Sequence, residues 1–443
     1  MGARENRFTP NESFWLEAID REHLEPALEG ERRADVVCLG GGYTSLVTAY
    51  LLKKRNPGLE VAVLEGSYVG FGASGRNGGM ALHEPHLERA RKCSAERVRF
   101  TYDETVRTVD WIEDLAREEG FDCELERTGY LEIALYPKHE RENEEKDRAC
   151  RKVGIDLELL DRAKMRATIR SERFLSALHF PKAAILHPGK YVSGLKKAAL
   201  AKGVRLFERS PVESVVDDGR GYGVSTGKGR IRAETLVVGL NAYLPAARLG
   251  IVRDRAVSLF SFILLTEPLS DAQWSEIGWS GRQGYTDKRR VHNYVRLTAN
   301  RILFGGRVRY HFGLESPSGI ERLFDELKGE FLMTYPSLSD VAFTHRWCGP
   351  VAITWRRTPE IGRTGRNGRA FYALGYSGMG VSLATLSGRV LVDLIEGRDS
   401  AWENLLYLHD PVAPLPPEPF RYLGFQGGYL GMRLMDFLDR LRP

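Results

Sequence analysis

The chain has 443 residues, of which 42% are hydrophobic, so it can bury a large core, and its length predicts two or three domains. Its 64 basic and 59 acidic residues give a net charge of +5 with no long run of either sign, which argues against nucleic-acid binding. The polar start and the absence of an apolar run of about eighteen residues predict a cytoplasmic protein without a signal peptide or a membrane-spanning helix.

The five cysteines show no CxxC spacing, which argues against a metal site or a redox pair. An odd number of cysteines is typical of reduced thiols in a cytoplasm. We therefore expect no bound metal.

Residues 1–33 form a polar leader with one apolar island, Phe14 to Leu16. We expect this leader to pack on the main body of the protein.

Residues 34–65 predict a strand, a glycine turn that begins at Gly40, a helix from Tyr43 and a second strand. A helix that begins after such a turn directs free N–H groups and a positive dipole end towards it, which favours a pyrophosphate. Glu65 ends the second strand, where a carboxylate can accept the hydroxyl groups of a ribose. Ser45 takes the place of the third small residue of the motif. The pattern predicts dinucleotide binding.

A second glycine-rich loop, Gly66 to Gly79, follows the acidic residue and carries Ser74, Arg76 and Asn77. Such a loop offers N–H donors, a hydroxyl group and a cation to another part of a long ligand. The segments GGGYTSL and VLEGSYVGFGASGRNGGM resemble the D-amino-acid oxidase superfamily of FAD-dependent amine oxidoreductases, in particular its γ-glutamylputrescine oxidase-like branch. The resemblance implies an FAD-binding fold and amine oxidation.

Residues 82–126 predict amphipathic helices, and 128–137 predict the first strand of a second domain. A charged helical stretch, 138–174, comes next. Residues 186–250 then predict a helix and several strands, with a hairpin around Gly227 to Gly229.

Aromatic and β-branched strands fill residues 251–345, with a hairpin at Thr298 to Asn300 and a helix around Ile320 to Phe331. Residues 370–395 repeat the order strand, glycine turn and apolar helix. This segment resembles the closing motif of the family, which implies contacts between its backbone N–H groups and the flavin ring.

The predicted fold class is α/β, with a discontinuous Rossmann-like FAD-binding domain and an α+β substrate domain that contains a mixed or antiparallel sheet. The FAD-binding domain comprises 34–126, 175–250 and 346–399, the substrate domain comprises 127–174 and 251–345, and the ends are the leader 1–33 and the tail 400–443. The motifs and the resemblance assign FAD contacts to Gly40, Gly42, Tyr43, Thr44, Ser45, Glu65, Ala73, Ser74, Gly75, Arg76, Asn77, Gly78, Gly79, Val212, Asn241, Gly378, Met379, Gly380 and Val381.

The tail ends in an amphipathic helix, in which Leu430, Leu434 and Phe437 share one face. This helix either docks on the body or forms a surface that contacts a membrane or an electron carrier.

Arginine is the natural anchor for a substrate carboxylate, because its planar fork binds both oxygens. We rank Arg307 first because it follows two glycines, then Arg296, with Arg356 or Arg357 as further candidates. Related sarcosine oxidases have an oxygen-activating lysine at the position that matches Leu303, so Arg76 or Arg296 is assigned that role here.

The covalent flavin cysteine of those relatives matches Ile353, so we expect noncovalent FAD. The predicted reaction is oxidation of an amine or amino acid by hydride transfer to flavin N5, with O2 as acceptor. The alternatives are a dehydrogenase that reduces a quinone or carrier protein, and a non-catalytic FAD-binding subunit.

Overall fold

Two eight-stranded sheets organise the chain and confirm the predicted α/β class. The computed structural model describes residues 12–87, 93–244, 249–252, 255–310, 319–408 and 413–441. Within these ranges, no helix is long and apolar enough to cross a membrane.

The strands are β1 (Gly30–Leu39), β2 (Val61–Leu64), β3 (Met80–Ala81), β4 (Tyr130–Ala134), β5 (Glu158–Leu160), β6 (Ser176–Phe180), β7 (Ala184–Ile185), β8 (Arg205–Phe207), β9 (Val212–Asp217), β10 (Tyr222–Thr226), β11 (Gly229–Val238), β12 (Val257–Thr266), β13 (Gly284–Asp287), β14 (Tyr294–Thr298), β15 (Arg301–Tyr310), β16 (Phe343–Ile353), β17 (Glu360–Thr364) and β18 (Ala370–Leu374). The helices are α1 (Tyr43–Arg55), α2 (Ala95–Glu118), α3 (Pro137–Lys152), α4 (Arg162–Thr168), α5 (Pro188–Ala201), α6 (Asp271–Ile277), α7 (Glu321–Thr334), α8 (Gly380–Ile395) and α9 (Phe420–Leu441).

The first sheet has the order β17-β18-β11-β1-β2-β8, and the β9–β10 hairpin extends from β11. Strands β18, β11, β1, β2 and β8 are parallel to one another. Helices cover one face of this sheet and the hairpin lies on the other side, so the central strands are buried on both faces. This explains why β1 and β2 read as short continuous apolar runs.

The second sheet has the order β16-β12-β15-β14-β13-β4-β6-β5 and is antiparallel except between β4 and β13. Its core contains Phe262 and Phe304, against which Phe324 and Phe331 of α7 pack. The predicted hairpins at Gly227 to Gly229 and Thr298 to Asn300 are both present.

Some predicted domain boundaries need correction. Strand β6 pairs with β4 and β5, and β16 pairs with β12, so both belong to the second sheet although residues 175–250 and 346–399 were predicted for the FAD-binding domain. Short apolar strands carry no local signal for the sheet that they join, because pairing between distant segments decides it. The remaining boundaries stay predictions.

The two helices that follow glycine turns, α1 and α8, pack closely against each other. A Cβ atom at Gly388 would lie 2.7 Å from Cβ of Val47, so only glycine permits this separation. The contact fixes the two helix N-termini relative to each other, and both lie at one cavity.

Candidate functional site

A cavity of about 910 Å³ lies between the two sheets. The first sheet contributes the turn at 40–44, the loop at 64–79 and the segments at 239–243 and 376–381, and residues 349–353 at the end of β16 in the second sheet close the cavity beside them. The other wall comes from β4, β13 and β14 of the second sheet. The three glycine-rich segments predicted to bind one dinucleotide therefore meet at one cavity.

The carboxylate of Glu65 holds the first glycine turn. It accepts hydrogen bonds from the N–H groups of Gly41 at 2.6 Å and Ser67 at 2.9 Å. A Cβ atom at Gly41 would lie 3.0 Å from the Glu65 carboxylate, so the turn requires a residue without a side chain. Burial raises the pKa of Glu65, and the N–H groups of Ser67 and Gly41 act against this shift.

The loop at 66–79 is fixed by its own side chains. Ser74 Oγ accepts a hydrogen bond from the N–H group of Tyr43 at the start of α1, at 3.1 Å. The Asn77 side-chain amide donates to the carbonyl oxygens of Ala73 and Ser74, and its oxygen accepts from the N–H group of Gly79 at 2.7 Å. Asn77 therefore shapes the loop, although it also lines the cavity.

Two tryptophans from distant segments also hold this loop. The Trp15 indole donates to the carbonyl oxygen of Asn77 at 2.7 Å, and the Trp347 indole donates to that of Arg76 at 3.0 Å. Both indoles are fully buried. Within residues 12–33 of the leader, Trp15 thus packs on the body and supports the cavity wall.

Arg76 lines the cavity and is 8% exposed. Its guanidinium lies 4.7 Å from the ring centre of Phe71, and its buried Nε has no hydrogen-bond partner among the described residues. A buried donor without a partner costs about 1–3 kcal/mol, so this position fits an anionic or carbonyl oxygen of a ligand.

The third glycine-rich segment precedes α8. Residues 376–381 line the cavity, and Gly378 has φ +97°, a conformation that favours glycine. Tyr376 forms a 2.6 Å hydrogen bond with Thr44 of α1, which ties this turn to the first one. Asn241 accepts a hydrogen bond from the N–H group of Gly375 at 2.9 Å.

The structure brings most predicted cofactor residues to the cavity. Those that line it are Gly40, Gly42, Tyr43, Thr44, Glu65, Ala73, Ser74, Arg76, Asn77, Gly78, Gly79, Val212, Asn241, Gly378, Met379, Gly380 and Val381. Ser45 and Gly75 lie behind the wall. Ser45 Oγ donates to the carbonyl oxygen of Leu39, and a Cβ atom at Gly75 would lie 2.3 Å from the carbonyl oxygen of Gly70, so both are required for packing.

Arg296 does not reach the cavity, which corrects its predicted roles as carboxylate anchor and oxygen-activating cation. It is 2% exposed and donates to the carbonyl oxygens of Gly79, Leu186 and Leu297 at 2.5 to 2.9 Å. Burial lowers its pKa to about 9. Arg296 instead fixes the end of the glycine loop.

Arg307 also points away from the cavity, so its first rank as a carboxylate anchor was wrong. It contacts Glu326 and Glu330 of α7, each at 3.3 Å. The register of β15 shifts at this residue, which has φ +57°, and such a bulge re-aims the side chain. Gly305 provides room for the ring of Tyr294, since a Cβ atom there would lie 2.0 Å from it.

Arg356 and Arg357, the remaining arginine candidates, do line the cavity. They lie between β16 and β17, close in sequence to the wall formed by residues 349–353. Tyr294 lines the same cavity and forms a 3.0 Å hydrogen bond with Ser261.

The sequence analysis did not identify four charged side chains at the second-sheet wall of the cavity. We call this set the charged wall, and it consists of Glu84, Glu132, Lys146 and Lys288. Lys146 lies 3.0 Å from Glu84 and 2.7 Å from Glu132, and Lys288 lies 3.5 Å from Glu132. All four line the cavity. They come from four separate segments, so no local motif announces them.

The described residues contain no group of three or more His, Cys, Asp or Glu side chains that could hold a metal ion. None of the five cysteines lines the cavity, and none of them forms a disulfide. The cradle therefore presents glycines, N–H groups and an arginine, a donor set that fits a dinucleotide.

The family model described as "FAD dependent oxidoreductase" (DAO) matches residues 35–394. The chain belongs to this family. It is therefore an enzyme that uses FAD, bound noncovalently, to act on amines or amino acids.

Curated relatives extend over nearly the whole chain. It is 32% identical over 399 residues to the gamma-glutamylputrescine oxidoreductase of Escherichia coli, which covers 88% of this chain and 91% of that protein. It is 30% identical over 397 residues to the probable oxidoreductase OrdL of Haemophilus influenzae, with 87% and 88% covered.

Solved structures agree on the fold. The glycine oxidase from Geobacillus kaustophilus matches with a TM-score of 0.69 at 20% identity and covers 83% of this chain and 95% of that one. The L-proline dehydrogenase from P. horikoshii matches with a TM-score of 0.68 at 21% identity, with 85% and 98% covered. At these identities the likeness establishes the fold alone.

Proposed function

We propose that this enzyme oxidises the C–N bond of a primary or secondary amine whose far end carries an ammonium and a carboxylate group, with O2 as electron acceptor. FAD, which the glycine turn at 40–44, the loop at 66–79 and the turn at 376–381 would hold, would supply a two-electron acceptor for the hydride of the carbon next to nitrogen. The nitrogen lone pair closes the C=N bond, and water hydrolyses the imine to a carbonyl compound and a free amine. O2 takes up two electrons and two protons and leaves as hydrogen peroxide.

The charged wall opposite the glycine-rich cradle is the observation that carries this proposal. Its two ammonium groups and two carboxylates pair with one another. Burial opposes ionisation of Glu132, but Lys146 and Lys288 outweigh it and lower its pKa. Burial likewise opposes the charge on Lys146, but Glu132 and Glu84 raise its pKa above the ordinary value. Glu132 and Lys146 therefore stay charged in the physiological pH range.

A zwitterionic head group suits this wall. Its ammonium group can pair with the carboxylate of Glu84 or Glu132, and its carboxylate with the ammonium groups of Lys146 or Lys288. The two positive and two negative charges of the charged wall balance each other. A head group with one ammonium and one carboxylate group has no net charge, so its binding leaves this balance unchanged.

The name of one relative supports the same substrate class. Gamma-glutamylputrescine joins a diamine, which offers an oxidisable amine, to a glutamyl group, which carries an ammonium and a carboxylate group. We propose that the present enzyme takes an amine of this type, with its amine end at the flavin and its zwitterionic end at the charged wall.

Arg356 and Arg357 support an amino acid as a second kind of substrate. Both line the cavity. A guanidinium there can bind a carboxylate that is close to the reacting amine.

A dehydrogenase that passes electrons to a quinone or carrier protein is the second candidate function. The absence of a lysine at Leu303 and the exposed apolar face of α9 favour it. The five cysteines, none of which forms a disulfide, support a cytoplasmic setting in either case.

The test is a steady-state screen of simple diamines, their γ-glutamyl derivatives and free amino acids, with the carbonyl product and hydrogen peroxide measured together. Equal amounts of both products, with preference for the zwitterion-bearing amines, are expected. Formation of the carbonyl product without hydrogen peroxide would indicate the dehydrogenase. In that case a soluble quinone analogue should sustain turnover in the absence of air. Preference for simple diamines would contradict the role of the charged wall.

A further inference from the structure

Helix α9 docks on the second sheet's domain through its charged side. Asp436 and Asp439 are 9% and 3% exposed, although they lie on a surface helix. Asp439 pairs with Lys138 at 2.8 Å and with Arg290 at 2.7 Å, and Asp436 pairs with Arg290 at 3.1 Å. Both carboxylates of this helix are therefore neutralised inside the protein.

The opposite side of α9 is apolar and faces outwards. We define the apolar face as Phe420, Leu423, Leu430, Leu434, Phe437 and Leu441, whose exposed fractions range from 56 to 70%. At 100° per residue these six side chains fall within an arc of roughly 100°. A surface helix ordinarily buries such an arc, so this arrangement is the reverse of the usual one.

A second exposed apolar group lies next to the helix. Trp355 is 80% exposed in the loop between β16 and β17. Arg357 of the same loop contacts Sδ of Met432 in α9 at 3.6 Å. At 100° per residue Met432 lies on the docked side of α9 together with Asp436 and Asp439, so the loop adjoins the helix beside the apolar face.

The charges that remain outside on α9 are basic. Arg433 is 52% exposed, with its guanidinium 3.9 Å from the carboxylate of Glu326, and Arg440 is exposed; helical spacing places both along one edge of the apolar face. Among residues 420–441, the acidic side chains are Asp436 and Asp439, and both are turned inwards. The occupant of this surface must therefore be apolar at its centre and anionic at its edge.

We propose that the apolar face of α9, together with Trp355, binds the surface of a phospholipid bilayer that contains anionic lipids. An exposed apolar arc, a basic edge and an interfacial tryptophan are the features by which a helix lies in the head-group region. Anionic lipids attract exposed arginines. A second copy of this chain fits less well, because pairing two such faces brings the basic edges of both helices together while the two carboxylates of each α9 helix are turned inwards.

The bound orientation has a consequence for the cavity. The loop that carries Trp355 also carries Arg356 and Arg357, which line the cavity. Membrane binding therefore brings that side of the cavity close to lipid. The proposal that the apolar face of α9 binds a bilayer does not rest on the substrate proposed for the cavity.

Cosedimentation of the FAD-loaded enzyme with vesicles tests the proposal. Vesicles with equal parts phosphatidylcholine and phosphatidylglycerol should bind it more tightly than phosphatidylcholine alone, and added salt should weaken binding. Leu430→Glu should reduce binding about tenfold or more, since it places a charge at the centre of the apolar face. Val216→Glu is the matched control, because Val216 is a 53% exposed apolar residue on β9. Phe437→Glu provides a second disruptive variant, and FAD content reports folding.

Tryptophan fluorescence gives an independent readout. Vesicles should shift the emission of the wild type to shorter wavelength, and Trp355→Phe should remove most of that shift. The proposal is overturned if the wild type does not sediment with anionic vesicles, or if Leu430→Glu binds as the wild type does. A dimer that Leu430→Glu dissociates, without vesicle binding, would assign the face to a second copy instead.

Discussion

The indole of Trp15 donates a 2.7 Å hydrogen bond to the carbonyl oxygen of Asn77, so the leader holds the glycine loop that lies 62 residues further along the chain. We predict that Trp15→Phe, which keeps an aromatic ring but removes the N–H group and part of the ring volume, weakens FAD binding several-fold, since a neutral hydrogen bond contributes about 0.5–1.5 kcal/mol. Fluorescence titration of the apoprotein with FAD measures this. Trp402→Phe is the matched control because the Trp402 indole donates to Asp393 outside the cavity. Equal FAD affinity in both variants would exclude a supporting role for Trp15.

Glu65 is expected to control FAD retention directly. The Glu65 carboxylate accepts hydrogen bonds from the N–H groups of Gly41 and Ser67. In Glu65→Gln one of its two oxygens is replaced by an NH2 group, which cannot accept a hydrogen bond from either N–H group. Hydrogen bonds to charged groups contribute about 1.5–3 kcal/mol, so the dissociation constant for FAD should rise about tenfold or more. Flavin content after dialysis measures it, with the exposed Glu213→Gln on β9 as control. Full occupancy of Glu65→Gln would argue against the assigned contact.

The arginines divide into two groups that substitution can separate. Arg357→Gln should raise KM for a carboxylated substrate about tenfold, because a charged hydrogen bond is removed at the cavity. Arg307→Gln should leave KM unchanged and lower the melting temperature, because its side chain contacts Glu326 and Glu330. Steady-state kinetics and thermal unfolding on the same preparations test both statements. The reverse pattern would restore Arg307 as the anchor.

The charged wall should act on substrates according to their far end. Lys146→Met removes the ammonium group shared by Glu84 and Glu132, so KM for an amine with a zwitterionic end should rise by one to two orders of magnitude. KM for a simple diamine should change much less. Lys328→Met on α7 serves as control, since that lysine lies outside the cavity. A loss of the same size for both kinds of substrate would indicate a general structural role for Lys146.

His187 should make stability depend on pH. Its imidazole packs against Trp15 and accepts a hydrogen bond from the N–H group of Lys190 at the start of α5. Burial lowers its pKa from 6.5 to about 4. Between these pH values the unfolded chain binds a proton that the folded chain does not, so the free energy of unfolding falls as the pH falls from 6.5 to 4.

The size of this loss is at most about 3 kcal/mol. His187→Asn keeps a neutral cap for α5 and should flatten the pH dependence in that window. Denaturant unfolding of the wild type and the variant at several pH values gives the difference. Burial also lowers the pKa of His83 to about 4. Because His83 is present in both proteins, its contribution cancels in the difference between their stabilities. Parallel curves would exclude His187 as a source of the pH dependence.

Local patterns carried the predictions that agree with the structure. The glycine turn before α1, the loop at 66–79 and the turn before α8 are each specified by neighbouring residues, because φ values and helix starts are local properties. The three glycine-rich segments of the cradle can therefore be predicted from the local sequence alone.

Contacts between distant segments explain what the sequence could not predict. The charged wall joins Glu84, Glu132, Lys146 and Lys288 from four segments. A bulge in β15 turns Arg307 towards α7. Strict alternation of side chains along a strand does not predict such a bulge. For α9, the periodic pattern indicated an amphipathic helix correctly, but only the partners Lys138 and Arg290 reveal that its charged side is buried.

Under the proposed function, an amine bound between the glycine-rich cradle and the charged wall transfers a hydride to FAD. Anaerobic mixing of the purified holoenzyme with γ-glutamyl derivatives of diamines, followed by absorbance of the oxidised flavin, tests it most directly. The account predicts a rapid loss of that absorbance with a rate that saturates in amine concentration, and weaker amine binding in Lys146→Met. Flavin that stays oxidised with every amine and amino acid tried would contradict it.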